Sequence, residues 1–145
     1  MRHSIIFCLL LVVMGAGFFP NRVLMADTYY VDPVNGDINN SGDFEHPWDT
    51  LENVFRRGKF NNLSGGDSLL LLNGHHGTVS ARGSFDTPLV IAPYSDHQPT
   101  LTRIRFSSAS NFTLKGVRIS PEFSGYNKVT LITISAGASH ITVEN

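Results

Sequence analysis

Four cations stand at alternate or near-alternate places in one short stretch: Arg103, Arg105, Lys115 and Arg118. A guanidinium or ammonium can neutralise an anionic ligand and stabilise charge that develops on it, and a lysine or arginine of lowered pKa can also take a proton. Arg103 and Arg105 alternate with Ile104 and Phe106, so on an extended strand the cations face out and the apolar pair faces in. Phe112 and Leu114, then Val117 and Ile119, repeat that pattern and leave Thr113, Lys115 and Arg118 outside. A turn after Phe106 and a bend at Gly116 send the cations to different faces, and scattered cations also serve simply to keep a sheet soluble.

Two other groups invite a metal. Asp37, Asn39 and Ser41 followed by Gly42 match the first half of a calcium loop, with oxygens on alternate residues and glycine at the sharp turn. The second half departs from it, because Trp48 stands where a bidentate glutamate belongs, so an Asx-turn loop is the competing reading. His75 and His76 are adjacent, and adjacent residues of a strand point to opposite faces, which denies both to one ion.

The elements that must position these groups repeat. Ala109 to Gly116 reads Ala-Ser-Asn-Phe-Thr-Leu-Lys-Gly, and Ala138 to Asn145 reads Ala-Ser-His-Ile-Thr-Val-Glu-Asn, with Ala109 and Ala138 29 positions apart. Ile104-x-Phe106-Ser107 likewise matches Ile132-x-Ile134-Ser135 at an offset of 28. A period of this size marks units that stack to bury an apolar face none can bury alone. Strands are expected at 69–72, 89–92, 101–106, 112–114, 117–119, 131–134 and 141–143, with Gly, Pro, Asp and Ser between them. Thr28–Val31 reads as a first edge strand. One helix is expected over 49–60, capped by Asp49 with Glu52 in a capping box, apolar on Leu51, Val54 and Phe55, and ended by Gly58. It would cover the apolar end of the first coil.

The chain has 145 residues, with 11 Lys+Arg against 12 Asp+Glu, a balance that calls for neither nucleic acid nor an anionic membrane. Residues 1–26 read as a secretory signal peptide: Arg2 and His3, then an apolar run from Ile5 to Phe19 too short to span a bilayer, with cleavage after Ala26. The expected location is therefore secreted or periplasmic, with no membrane association after cleavage. The single cysteine, Cys8, lies inside that run, so the mature chain holds itself by packing and hydrogen bonds without disulfides.

Taken in order, Tyr29-Tyr30-Val31-Asp32-Pro33, Asn35-Gly36-Asp37, Ser41-Gly42, Pro47-Trp48 and Thr50-Leu51 lead the mature chain. Gly66-Asp67-Ser68-Leu69-Leu70-Leu71, Thr87-Pro88-Leu89-Val90-Ile91-Ala92 and Asn111-Phe112-Thr113-Leu114-Lys115-Gly116-Val117 complete the succession. The chain resembles the N-terminal region of right-handed parallel β-helix proteins of the pectate-lyase-like superfamily, near the chondroitinase-B and alginate-lyase type. The resemblance implies an all-β solenoid, with residues 27–67 as first strand, loop and capping helix and 68–145 as coils. It implies an acidic polysaccharide as partner and β-elimination as the reaction, calcium as a cofactor of a full-length protein, and catalytic residues on later coils. On that reading Arg103, Arg105, Lys115 and Arg118 would meet substrate, and Tyr126, in the longer loop 121–128, would stack on a sugar. A non-catalytic surface or carbohydrate-binding solenoid is the alternative, and an antiparallel β-sandwich binding module a third class. A stack that stops at Asn145 exposes an apolar cross-section, which is the expectation that the chain is truncated.

Overall fold

The computed structural model describes residues 25–123 and 130–144; most of the expected signal peptide lies outside them. Nine strands dominate: β1 (Thr28–Val31), β2 (Ser68–Leu71), β3 (Gly74–His75), β4 (Thr78–Pro93), β5 (Pro99–Leu101), β6 (Arg103–Lys115), β7 (Arg118–Ile119), β8 (Ile132–Ile134) and β9 (Ser139–Glu144). One sheet runs β1-β2-β4-β6, with β8 and β9 both paired to β6, and the other runs β3-β5-β7. Every strand pairing among the described residues is parallel, which removes the antiparallel sandwich. The turn at Asn73-Gly74 makes no hairpin; Gly74 opens β3, which joins the second sheet.

The register aligns residues into files. Tyr29, Leu69, Ile91, Leu114 and Val143 are successive partners, of which Leu69, Ile91 and Leu114 are buried in the core and Tyr29 packs against it, and the last three steps are 22, 23 and 29 residues long. Leu89, Phe112 and Ile141 form a second file beside it. Leu69, Leu89, Ile91 and Phe112 are fully buried, each stabilising the stack by about 1.5–3 kcal/mol relative to exposure. At the far end of the stack burial fades: Val143 is 44% exposed, and Ile132 and Ile134 are exposed as well.

β4 and β6 are longer than expected because each continues through a corner. Their first limbs pair from Thr78↔Arg103 to Ser84↔Ser110, and their second limbs resume at Leu89↔Phe112 after a register shift. Ser108 (φ 48°) and Asn111 (φ 57°) supply left-handed corner residues, and Asn111 donates its side-chain amide to Phe85 O at 2.5 Å. The first limb of β4 escaped the sequence reading, since only the small side chains Val79 and Ala81 mark its inward face.

The helix is shorter than 49–60. Helix α1 spans Leu51–Arg56, and a 3₁₀ turn follows at Lys59–Asn62 beyond Gly58 (φ 78°). Thr50, not Asp49, is the N-cap, its side chain accepting Asn53 N–H, because Asp49 turns its carboxylate to Thr50 N–H and the Asn53 amide. Glu52 makes no capping box. It accepts the Thr78 N–H at 3.0 Å instead, tying the helix to the first edge of β4. Leu51, Val54 and Phe55 are buried, with Phe55 5.5 Å from Phe60 and 6.2 Å from Phe112, so the helix lays its apolar face on the core.

Candidate functional site

The cations divide among three places. Lys115, at the end of β6, meets Glu144 at 3.4 Å, and Arg118, on β7, meets Glu122 at 3.1 Å; both pairs are exposed and contribute at most about 1 kcal/mol each. Arg103 and Arg105 lie together on the first limb of β6, outside the buried Ile104 and Phe106. Among the described residues neither forms an ion pair.

Two further arginines join them. Thr78 and Ser80 are the register partners of Arg103 and Arg105, and Arg82 follows on the same face of β4. Parallel strands are about 4.8 Å apart and alternate residues about 7 Å apart, so these groups make one surface. Arg82 Nη2 donates to Phe55 O at 3.3 Å while its guanidinium lies 5.2 Å from the centre of the Phe60 ring. Arg56 reaches the same edge from α1, and Glu52, Phe55, Arg56, Thr78, Ser80 and Arg82 line a cavity of about 250 Å³ there. Glu52 is the carboxylate of that cavity, and it is engaged by Thr78 N–H. The result is a guanidinium face with hydroxyls between, suited to holding carboxylates or sulfates. Arg56 and Arg82 were missed in the sequence because neither lies in the repeated segments; the Thr-x-Ser-x-Arg alternation at 78–82 was the available signal.

The half calcium loop is an Asx turn. Asp37 Oδ1 accepts both Asn39 N–H at 2.8 Å and the Asn39 amide at 2.9 Å, while Ser41 donates to Asp43 at 2.6 Å. Asp43 is the carboxylate on which this loop converges. The Ser41 hydroxyl, with His46 N–H after it, holds its carboxyl below the usual range. The described residues hold no cluster of three or more His, Cys, Asp or Glu placed for a metal ion.

His75 and His76 do point apart. His75 is exposed, its Nε2 3.2 Å from Thr102 Oγ1, whereas His76 is fully buried and donates from Nε2 to Leu72 O at 2.9 Å. Burial pushes the His76 pKa down, an effect the bond to Leu72 O and the charge of Asp32 only partly offset. Tyr126 lies outside the described residues. Asn111, which opens an Asn-x-Thr glycosylation sequon, stands at a corner with a left-handed φ and donates its amide to Phe85 O. No family model, curated protein or solved structure matches the chain. No helix among the described residues is long and apolar enough to cross a membrane.

Proposed function

We propose that this chain is the N-terminal region of a secreted right-handed parallel β-helix protein that acts on an acidic polysaccharide by β-elimination. The files of parallel partners at steps of 22, 23 and 29 residues support the solenoid, and parallel crossovers are right-handed in about 98% of cases. The observation that carries the substrate class is the face formed by Arg103 and Arg105 with Arg82 and Arg56, cations on adjacent strands and helix that form no ion pair among the described residues. A uronate carboxylate bound there would have its charge neutralised. Removal of the proton beside that carboxylate puts negative charge onto it; the guanidinium lowers the energy of that state. The electron pair then forms the new carbon–carbon double bond as the neighbouring glycosidic C–O bond breaks, and the departing oxygen takes a proton. The first proton passes to a base on a later coil, where the resemblance puts the catalytic residues.

Full-length secreted protein incubated with pectin, alginate and chondroitin tests this by the absorbance of the unsaturated uronate product. A rise with any of the three supports the lyase; silence with all three ends it. A non-catalytic polysaccharide-binding solenoid is the second reading. It is favoured by the engagement of Lys115 and Arg118 with Glu144 and Glu122, which leaves the arginine face with binding groups alone. Retention on immobilised polyanion without product would select it.

A further inference from the structure

We propose that Tyr30, Phe44 and Tyr94, with the hollow beside them, form a binding site for an uncharged saccharide ring, separate from the arginine face. Three passages of chain converge to build it: β1, the 32–47 loop and the end of β4. The ring centres of Tyr30 and Phe44 are 5.1 Å apart at 78°, those of Tyr30 and Tyr94 5.3 Å apart at 81°, and those of Phe44 and Tyr94 5.5 Å apart at 55°. Edge-to-face packing of this kind fixes ring orientation. The backbone fixes it further, through Tyr30 N–H to Gly42 O at 2.7 Å and Tyr94 N–H to Leu71 O at 2.9 Å.

Phe44 stays 56% exposed although the loop that carries it is otherwise rich in Gly, Asn, Asp and Ser. A polar residue there would serve the turn equally well, and the core lies on the other side of the sheet. The hollow next to Tyr94 has a volume of about 360 Å³ and is lined by Asn73, Tyr94, Ser95, Asp96 and His97, within the size range of small-ligand sites. Its wall is a built turn: His97 N–H donates to Tyr94 O at 3.0 Å, and Ser95 holds a left-handed φ of 49°. Asn73 N–H donates to His97 Nδ1 at 2.9 Å, and Gln98 N–H donates to Asn73 Oδ1 at 2.7 Å. A neutral His97 therefore carries its proton on Nε2. That N–H, the Asn73 amide N–H groups and the Asp96 carboxylate remain as donors and acceptors for hydroxyls.

The exposed ring of Phe44 and the Tyr94 ring that lines the hollow, beside a few fixed polar groups, match a pyranose, whose C–H face packs on the negative face of a ring while its hydroxyls bond at the edge. Charge selects among sugars. The hollow is lined by the carboxylate of Asp96 and by no lysine or arginine, and Asp43 and Glu45 flank Phe44 in sequence. A uronate would be repelled here and attracted to the arginine face, so an uncharged hexose unit is the occupant.

The full chain is titrated calorimetrically with hexaoses of glucose, mannose and galactose, and with oligogalacturonate as the charged comparison. At least one uncharged hexaose binds, Phe44→Ala and Phe44→Leu each weaken it about tenfold or more, and Arg105→Ala leaves it unchanged. Phe44→Leu keeps an apolar side chain on an exposed site, so loss of affinity with an unaltered melting temperature isolates the ring face. No binding of any uncharged hexaose overturns the proposal, as does Phe44→Leu binding like the native chain. Self-association that Phe44→Ala abolishes, without saccharide binding, overturns it in favour of a second copy on this patch. Failure of the lyase assay bears on the arginine face and leaves these outcomes untouched.

Discussion

Asn111 and His140 occupy the same corner on neighbouring strands, each in a left-handed conformation, with φ of 57° and 53°. They sit between the register partners Ser110↔Ser139 and Phe112↔Ile141, so the sequence repeat is also a repeat of backbone geometry. L-residues other than Gly, Asn and Asp enter that region at about 1–2 kcal/mol. Asn111 also donates its amide to Phe85 O one strand below. Asn111→Ala is therefore expected to lower unfolding free energy by about 2 kcal/mol, and Asn111→Gly by about 1, since glycine loses only the hydrogen bond. Urea unfolding of the two variants checks the order; equal losses would show that the corner is unstrained.

Gly77 carries a similar test at the helix end. Its φ is 84°, and a Cβ there would stand 2.0 Å from Glu52 Oε2, the atom that accepts Thr78 N–H. Gly77→Ala should destabilise by about 2–3 kcal/mol by displacing that carboxylate and straining the backbone. Adding Glu52→Ala should cost less in the Gly77→Ala background than in the native chain, because the contact has already gone. Additive losses in thermal melts would separate the two effects.

Asp67 is almost fully buried and ties the start of β1 to the turn before β2, with Oδ1 accepting Asp27 N–H at 2.8 Å and Oδ2 accepting Ser64 N–H at 2.7 Å. Hydrogen bonds to a charged acceptor contribute about 1.5–3 kcal/mol, and loss of one leaves its donor unpaired. Asp67→Ala is expected to lower stability by about 3 kcal/mol and to raise amide exchange at Asp27 and Ser64 first. Exchange rising uniformly instead would argue that this clamp is not a local one.

Much of this architecture was legible, and for a physical reason. A repeat that stacks must place like residues over like, so the offsets of 28 and 29 read from letters are the registers Ile104↔Ile132 and Phe112↔Ile141. The segment 78–82 was not legible, because Val79 and Ala81 are too small to mark an inward face against a polar run. The same gap hid Arg82, and Arg56 was read only as part of a helix. Phe44 drew no attention in the sequence, because its partners Tyr30 and Tyr94 lie 14 and 50 positions away, and only tertiary structure joins them.

The arginine face predicts salt-sensitive binding. Arg103→Ala and Arg105→Ala should each weaken retention on immobilised polygalacturonate several-fold at low salt, with the double variant weaker still. The difference should shrink as salt rises from about 0.1 M to 1 M and the screening length falls from about 10 Å to 3 Å. Lys115→Ala and Arg118→Ala should change little, since Glu144 and Glu122 already neutralise them. Equal losses from all four variants would mean that net charge, not this face, holds the polymer.

His76 sets an acid limit. Its Nε2–H is committed to Leu72 O, its Nδ1 has no protein partner among the described residues, and burial holds its pKa below the ordinary 6.5. A folded pKa below the unfolded value means that the unfolded chain binds the proton more tightly. The neutral ring's contribution is thus complete above about pH 6.5 and is lost as pH falls below it, down to the lower folded pKa. Asp32 and His75 act on it in opposite senses, the first favouring the proton and the second opposing it. Asp32 titrates in a separate, lower window: burial raises its pKa, but the Asn35 amide and Val34 N–H outweigh that and leave it below the usual 3.8. His76→Leu removes the titrating ring from its buried place, leaving Leu72 O unpaired at about 1–3 kcal/mol. The variant should therefore be less stable at pH 8, yet lose less stability than the native chain between pH 6.5 and pH 5. Parallel loss in both chains across that interval, measured by urea unfolding, would assign the acid sensitivity to another group.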